Sequence, residues 1–349
     1  MKIPTEPIGS IPRPAELIAA ITSQTNGADL QKLYEKAIND TLNQFEKTGS
    51  PVITDGEQTK SSFATYPLEG LTDLSPEGMT INFEDGHSRQ LPLLTKGPFR
   101  YGNYASKYLA NAQKLTQTPI KQAIISASAL SLIYPANGIE GYPQSEFMAD
   151  LLNECEKDIR RCLDEGAYKV QMDFTEGRLS LKLDPSGGVL KHFIALNNQV
   201  FDRFTKEEQQ KLGVHVCPGG DHDSTHSADI DYADFLPDLF DLHVGSFCLQ
   251  LASEPDHVKV LKTIKQYLKP DQKAFIGVID VLNPVIETAE QVRDRVLEAA
   301  QYIPLNQLGT TDDCGFSPFC DDTSTTRETA FAKIKARVEG TKLAEKELS

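Results

Sequence analysis

A short apolar run, a loop carrying Gly, Pro or Asp, and a longer segment of helical period recur along this chain, and that alternation restricts its fold more than any other feature. Strands separated by helix-length segments cannot pair as hairpins, so they pair in parallel through crossover connections. The runs fall at 3–11, 51–57, 120–132, 168–174, 214–217, 246–251, 274–281 and 307–311. A helix is expected to about residue 47, with Leu30, Leu33, Ala37, Ile38 and Leu42 on one stripe and Asp29 as its cap. Others are expected at 145–165, 193–212, 232–242, 255–268, 289–303 and 325–345. Eight strand units in 349 residues predict an α/β protein, a single (β/α)8 TIM barrel spanning 1–349 with its chemistry on the loops after the strands. A doubly wound open sheet is the alternative. It lacks a nucleotide cradle, since no Gly-x-Gly-x-x-Gly follows the first run and Gly219-Gly220 leads into Asp221 and a His-rich stretch.

The alternation fails between 59 and 118, where Tyr66, Phe83, Phe99, Tyr101, Tyr104 and Tyr108 recur among Pro and Gly. Residues 79–83 followed by Glu84-Asp85-Gly86 read as a hairpin strand and turn. An insertion of this length between the second and third strands predicts an elaborated loop or lid, with surface decoration or a dimer contact as the alternative.

A formal charge of −15 argues against nucleic acid or an anionic membrane as the main partner. No run approaches the roughly 18 apolar residues of a spanning helix, and the N-terminal stretch lacks a basic start and apolar core, so the expected location is cytoplasmic. Six cysteines are too sparse for a disulfide framework. Cys155 and Cys162 share a helix face and Cys248 sits in an apolar strand, which makes all three packing residues.

In an extended strand successive side chains alternate faces, so His215 and Cys217 share one wall while Val214 and Val216 point the other way. Cys314 follows the last strand. Two thiolates and an imidazole are donors that favour zinc over magnesium or calcium. Gln250, Glu254 or water would complete the set. Other polar residues at strand exits are Ser10, Asp55, Glu57, Ser126, Ser128, Asp173, Asp280, Asn283 and Asp313. His222 and His226 stand at i, i+4, but Asp223 occupies the place of the glutamate that a zinc-protease helix needs. A zinc ion so ligated can take up a substrate thiol as thiolate, which makes it a nucleophile toward an alkyl carbon.

Five segments, Ile8-Gly9-Ser10, Asp55-Gly56-Glu57, Gln171-Met172-Asp173, His215-Val216-Cys217 and Asp313-Cys314-Gly315, occur at strand ends in the order of a known family. With them the chain resembles the C-terminal catalytic barrel of the cobalamin-independent methionine synthases and, more widely, zinc-dependent thiol alkyltransferases. The resemblance covers nearly the whole chain. It implies a methyltransferase that moves a methyl group to zinc-bound homocysteine to form methionine, with His215, Cys217 and Cys314 as zinc ligands. It also implies that Ile8, Gly9, Ser10, Glu57 and Asp173 hold the amino-acid part of the substrate. Another small thiol, in coenzyme M-like chemistry, or a non-catalytic partner-binding barrel are the alternatives.

The chain departs from the family in three places. The fourth ligand is a glutamate on the sixth strand of the synthases, where this chain offers Gln250 or the more distant Glu254. A histidine used for proton handling is replaced by Leu282, which leaves Asp280 and Asn283 as the candidate catalytic groups at that strand end. The synthases carry a second barrel that helps to hold a folate donor, whereas this chain has one, so a simpler methylfolate and a methyl-carrying partner protein both stand as donors.

Overall fold

The computed structural model describes residues 2–23, 25 and 27–349. Six strands form one parallel sheet: β1 Lys121–Ile125, β2 Lys169–Asp173, β3 Leu212–Val216, β4 Ser246–Leu249, β5 Lys273–Gly277 and β6 Leu308–Thr311, each paired with its neighbours in chain order. β1, β2 and β3 are buried at every position, as strands are when helices cover one face and a packed barrel interior fills the other.

The first two expected strands complete the circle as single bridges. Thr5 pairs in parallel with Thr310 of β6, and Ile53 with Ile120 beside β1. The two segments then meet each other, with Ile11 N donating to Gly56 O at 3.0 Å and Thr54 Oγ1 to Gly9 O at 2.7 Å. Pro4, Pro7, Pro12 and Pro51 remove N–H groups from these stretches, which explains why they pair so briefly. The fold is a TIM barrel. At its N-terminal end Glu6 accepts from Lys169 Nζ at 2.7 Å and lies 3.6 Å from Lys121, a buried charge cluster on the face away from the site.

The outer helices present apolar stripes to the barrel. The helix Ala28–Thr48 buries Ala37, Ile38, Leu42 and Phe45, and Gln144–Asp164 buries Phe147, Leu151, Cys155, Ile159 and Cys162. At Gly340, in the helix Arg327–Glu347, an added Cβ would lie 2.4 Å from Val292 Cβ of the helix Ala289–Ala299, so only glycine permits that approach.

Several local expectations are corrected. Asp29 is not a cap; it lies in the first turn of a helix whose flanking residue is Gly27. The run 120–132 ends as a strand at Ile125, because the Ser126 hydroxyl accepts from Ala129 N and starts the short helix Ala127–Ser131. The expected helix 193–212 is two helices, Gly188–Phe201 and Lys206–Gln209, the second started by a capping box at Thr205. A helix at Glu176–Leu183 also follows β2.

Within 59–118 the expected hairpin is present, with Thr80–Asn82 antiparallel to Ser88–Gln90. Tyr66, Phe99, Tyr101 and Tyr108 are buried in the main core. The hairpin reaches over the barrel mouth: Glu84 N donates to Thr225 O at 2.9 Å, and Arg89 pairs with Asp221 at 2.5 Å and Asp321 at 2.9 Å. All six cysteines are free thiols, and Cys155, Cys162 and Cys248 are buried. No helix among the described residues is long and apolar enough to cross a membrane.

Candidate metal centre

Strand register brings the site together. Asp173 of β2 stands opposite His215 of β3, and His215 opposite Cys248 of β4. Cys217 follows the end of β3, and Cys314 lies three residues beyond β6. One donor atom from each of His215, Cys217 and Cys314 falls within 4.8 Å of the others, and all three residues are buried. Cys314 Sγ donates to Cys217 Sγ at 3.0 Å.

His215 Nδ1 donates to Asp173 Oδ1 at 3.1 Å. The same oxygen accepts from Gln171 Nε2 at 2.9 Å, and that nitrogen also lies 3.2 Å from Ile8 O. The ring is therefore oriented by its outer nitrogen, while Nε2 is buried without a hydrogen-bond partner. An unsatisfied buried nitrogen costs about 1–3 kcal/mol, and a metal ion in front of the two sulfurs would satisfy it. Carboxylate, imidazole and metal in line is a common way to fix a ligand histidine. The donor set fits zinc.

The electrostatics of the three side chains agree with that fit. The hydrogen bond from Cys314 holds Cys217 well below the usual thiol range, against burial and with help from His215. Cys314 is pushed well above it by donating that bond and by burial. Burial alone would lower His215, but the Cys217 sulfur and Asp173 hold it well above the usual imidazole range. Around a metal ion all three groups would give up these protons.

The loops carrying the sulfurs are fixed by their neighbours. Gly219 N donates to Cys217 Sγ at 3.4 Å from a left-handed backbone with φ 72°. A Cβ at Gly219 would meet His226 Nε2 at 1.7 Å, so the position admits only glycine. Asp313 accepts from Leu251 N, Ala252 N and Ser253 N and from Ser253 Oγ at 2.7–3.0 Å, which ties the Cys314 loop to the exit of β4.

Ile8, Gly9, Ser10, Glu57 and Asp173, all singled out in sequence, line the same cavity as the three metal-ligand candidates. Ser10 Oγ accepts from Ser317 N at 3.2 Å, leaving its proton free to donate. Gln250 lines an adjoining small cavity with Cys314, Gly220 and Asp280; its Nε2 donates to Ser253 Oγ at 2.8 Å, and its Oε1 is buried without a partner. Glu254 instead receives Arg178 NH1 at 2.7 Å. The Asp280 carboxylate accepts from Leu282 N and Asn283 N of its own loop, and Asn283 is exposed and caps Val285 N. His226 is buried behind Gly219, where burial pushes it down to about 4, and His222 lies in a turn beside Arg89 rather than on a helix.

Sequence reading missed Arg13, Lys60, Phe63 and Thr175. Phe63 and Thr175 line the cavity, and Arg13 and Lys60 support it from behind. A lysine three residues after Glu57 was the one available signal.

Residues 3–342 match a family described as cobalamin-independent synthase, catalytic domain. The methionine synthase of Saccharolobus solfataricus is 23% identical over 351 residues, covering 99% of this chain and 96% of that protein. That of Sulfurisphaera tokodaii is 25% identical over 354 residues, covering 99% and 94%. Among solved structures, a B12-independent methionine synthase from a Shewanella species, in complex with selenomethionine, superposes with a TM-score of 0.76 at 20% identity over 100% of this chain and 99% of that one. A putative vitamin-B12 independent methionine synthase from Listeria monocytogenes gives 0.69 at 20% identity, over 98% of each chain.

Proposed function

The chain belongs to the cobalamin-independent synthase catalytic-domain family, and from that premise we propose that it methylates the thiol of homocysteine, with zinc held by His215, Cys217 and Cys314. The observation that carries the metal is the buried His215 Nε2 without a hydrogen-bond partner, on a ring that has a nitrogen within 4.8 Å of the Cys217 and Cys314 sulfurs, in a cavity whose wall bears Glu57 and Asp173. When bound, zinc would supply Lewis acidity that holds the substrate sulfur as a thiolate near neutral pH.

The protein's own groups do the positioning. Asp173 keeps the His215 ring turned inward. Glu57 and Asp173 offer negative charge to the substrate ammonium, and the Ser10 hydroxyl with the adjoining backbone offers donors to its carboxylate. In the transfer the sulfur lone pair forms the S–CH3 bond, the bond from methyl to donor breaks, and its electron pair leaves with the donor. The apolar wall of Ile8, Phe63 and Pro318 keeps water from competing with the sulfur.

The fourth ligand in this reading is the Gln250 carboxamide oxygen. Register supports it: Val216 pairs with Leu249, so Cys217 and Gln250 are the next residues on adjacent strands and face the same side. The donor enters beneath the hairpin, through a second cavity that shares Phe63 and Thr175 with the thiol pocket and is lined by Met79, Leu91 and Glu176. Glu176 presents a buried Oε2 without a partner, and burial pushes its carboxyl up to about 7. Leu282 lines the cavity beside Gln250, and Asp280 is the polar group left at that strand end. The hairpin acts as a lid through Arg89 and Asp221. An anionic, amine-free thiol of the coenzyme M type would meet two carboxylates with no cation of its own, which disfavours it as acceptor.

The test is metal content together with thiol binding. Purified protein is expected to hold one zinc and to bind L-homocysteine only when loaded. Full homocysteine affinity after zinc removal would overturn the reading.

A further inference from the structure

A lysine is fully buried behind the pocket and has no part in the chemistry so far. Lys60 is 1% exposed and donates from Nζ to Glu57 Oε1 at 2.9 Å and to Ala123 O at 3.1 Å. Its ammonium lies 4.6 Å from the centre of the Tyr66 ring and 5.5 Å from that of Tyr108, both contributed by the 59–118 insertion. It does not line the cavity, whereas Glu57 does.

Glu57 needs such support for two reasons. Its backbone is left-handed, with φ 56°, a conformation uncommon for a residue with a side chain. Asp55 Oδ1 accepts from Glu57 N at 3.0 Å, and Arg13 NH2 donates to Glu57 O at 2.7 Å and to Lys60 O at 3.0 Å, so the turn is clamped at both ends. The second reason is charge. Burial pushes the Glu57 carboxyl up, Lys60 pulls it down, and Asp173 pushes it up again. Two buried carboxylates on one cavity wall disfavour each other's ionisation, and a protonated Glu57 would offer no charge to an ammonium.

We propose that Lys60 is a positioning residue that keeps Glu57 ionised and aimed at the substrate's amino group, and so sets the preference of this pocket for thiols that carry an amine. The proposal rests on the reading of Glu57 as the ammonium anchor. Lys60 weakens the net negative field of the pocket, but a paired carboxylate still binds an ammonium at contact, while a neutral acid does so far less well. Its ammonium is occupied by Glu57, Ala123 and two ring faces, so its hydrogen bonds go to the protein rather than into the cavity.

The experiment compares L-homocysteine with γ-mercaptobutyrate, which has the same thiol and carboxylate but no amine, by calorimetry on the zinc-loaded protein. Lys60→Met is expected to weaken L-homocysteine about tenfold or more while changing γ-mercaptobutyrate by less than about threefold. Lys60→Arg is expected to restore most of the discrimination. Lys60→Gln, which keeps a donor for Ala123 O without the charge, is expected to behave like Lys60→Met and serves if that variant fails to fold. An unchanged ratio of the two affinities, or an equal loss for both thiols, overturns the proposal. Glu57→Gln separates the two levels: if it too leaves the ratio unchanged, Glu57 is not the anchor and the parent reading fails, whereas loss of discrimination there but not at Lys60 sinks the Lys60 role alone.

Discussion

Replacing Asp173 tests how the metal site is built. Its Oδ1 is the acceptor that fixes His215 Nδ1 at 3.1 Å, and Gln171 Nε2 shares that oxygen at 2.9 Å. Asp173→Asn keeps an acceptor oxygen in nearly the same place but removes the charge that strengthens the bond and raises the basicity of the imidazole. The loss is the difference between a charged and a neutral hydrogen bond, about 1–1.5 kcal/mol, so zinc affinity is expected to fall about tenfold. Asp173→Ala strands the buried His215 Nδ1, removes one of the two acceptors of Gln171 Nε2 and frees the ring to rotate, and the expected fall is about a hundredfold, at the upper end for such outer groups. Competition against a chromophoric chelator reads both. Equal zinc affinity for wild type, Asp173→Asn and Asp173→Ala would refute the claim that His215 is a ligand oriented from behind.

Further outcomes follow from the same geometry. Gly219→Ala must displace His226, whose Nε2 lies 1.7 Å from the new Cβ, at φ 72°, so a loss of roughly 2 kcal/mol or more in denaturant-unfolding stability is expected together with weaker metal binding. Gln250→Glu is expected to tighten zinc about tenfold by exchanging a neutral oxygen donor for a charged one, and Gln250→Leu to loosen it, with the cobalt(II) absorption band changing in both; unchanged spectra would remove Gln250 from the ligand set. Glu176 is raised by burial to about 7, so the folded state holds its proton more tightly than the unfolded state does. Stability from this group is therefore fully present below the unfolded value near 4.5 and is lost as pH rises through about 7. Glu176→Gln, a stand-in for the protonated acid, is expected to exceed wild type in stability at pH ~8 by up to about 3 kcal/mol and to match it near pH ~4, as read by urea unfolding at each pH.

The parts of this protein legible in its sequence are those governed by a period. Alternation along β3 puts His215 and Cys217 on one wall, and the structure has them there with Cys314 across the mouth. The apolar stripes of Ala28–Thr48 and Gln144–Asp164 were likewise readable. Local side-chain hydrogen bonds are what periodicity misses: the Ser126 hydroxyl turns an apolar run from strand into helix, and Thr205 restarts one. The short bridges at Thr5 and Ile53 reflect prolines that leave the hydrophobic pattern intact but remove the donors a ladder needs. Lys60 escaped notice because its partner lies across an irregular turn, where no repeat marks which residues meet. The family resemblance suggested substrate-holding roles for Ser10, Glu57 and Asp173, and the structure puts all three on the wall of one cavity.

Zinc-edge X-ray absorption of the loaded protein, recorded before and after addition of L-homocysteine, tests the central claim most directly. With Cys217 and Cys314 as the protein sulfurs, the metal is expected to go from two sulfur neighbours to three as the substrate thiolate binds. A sulfur count that stays at two at saturating homocysteine would contradict the account.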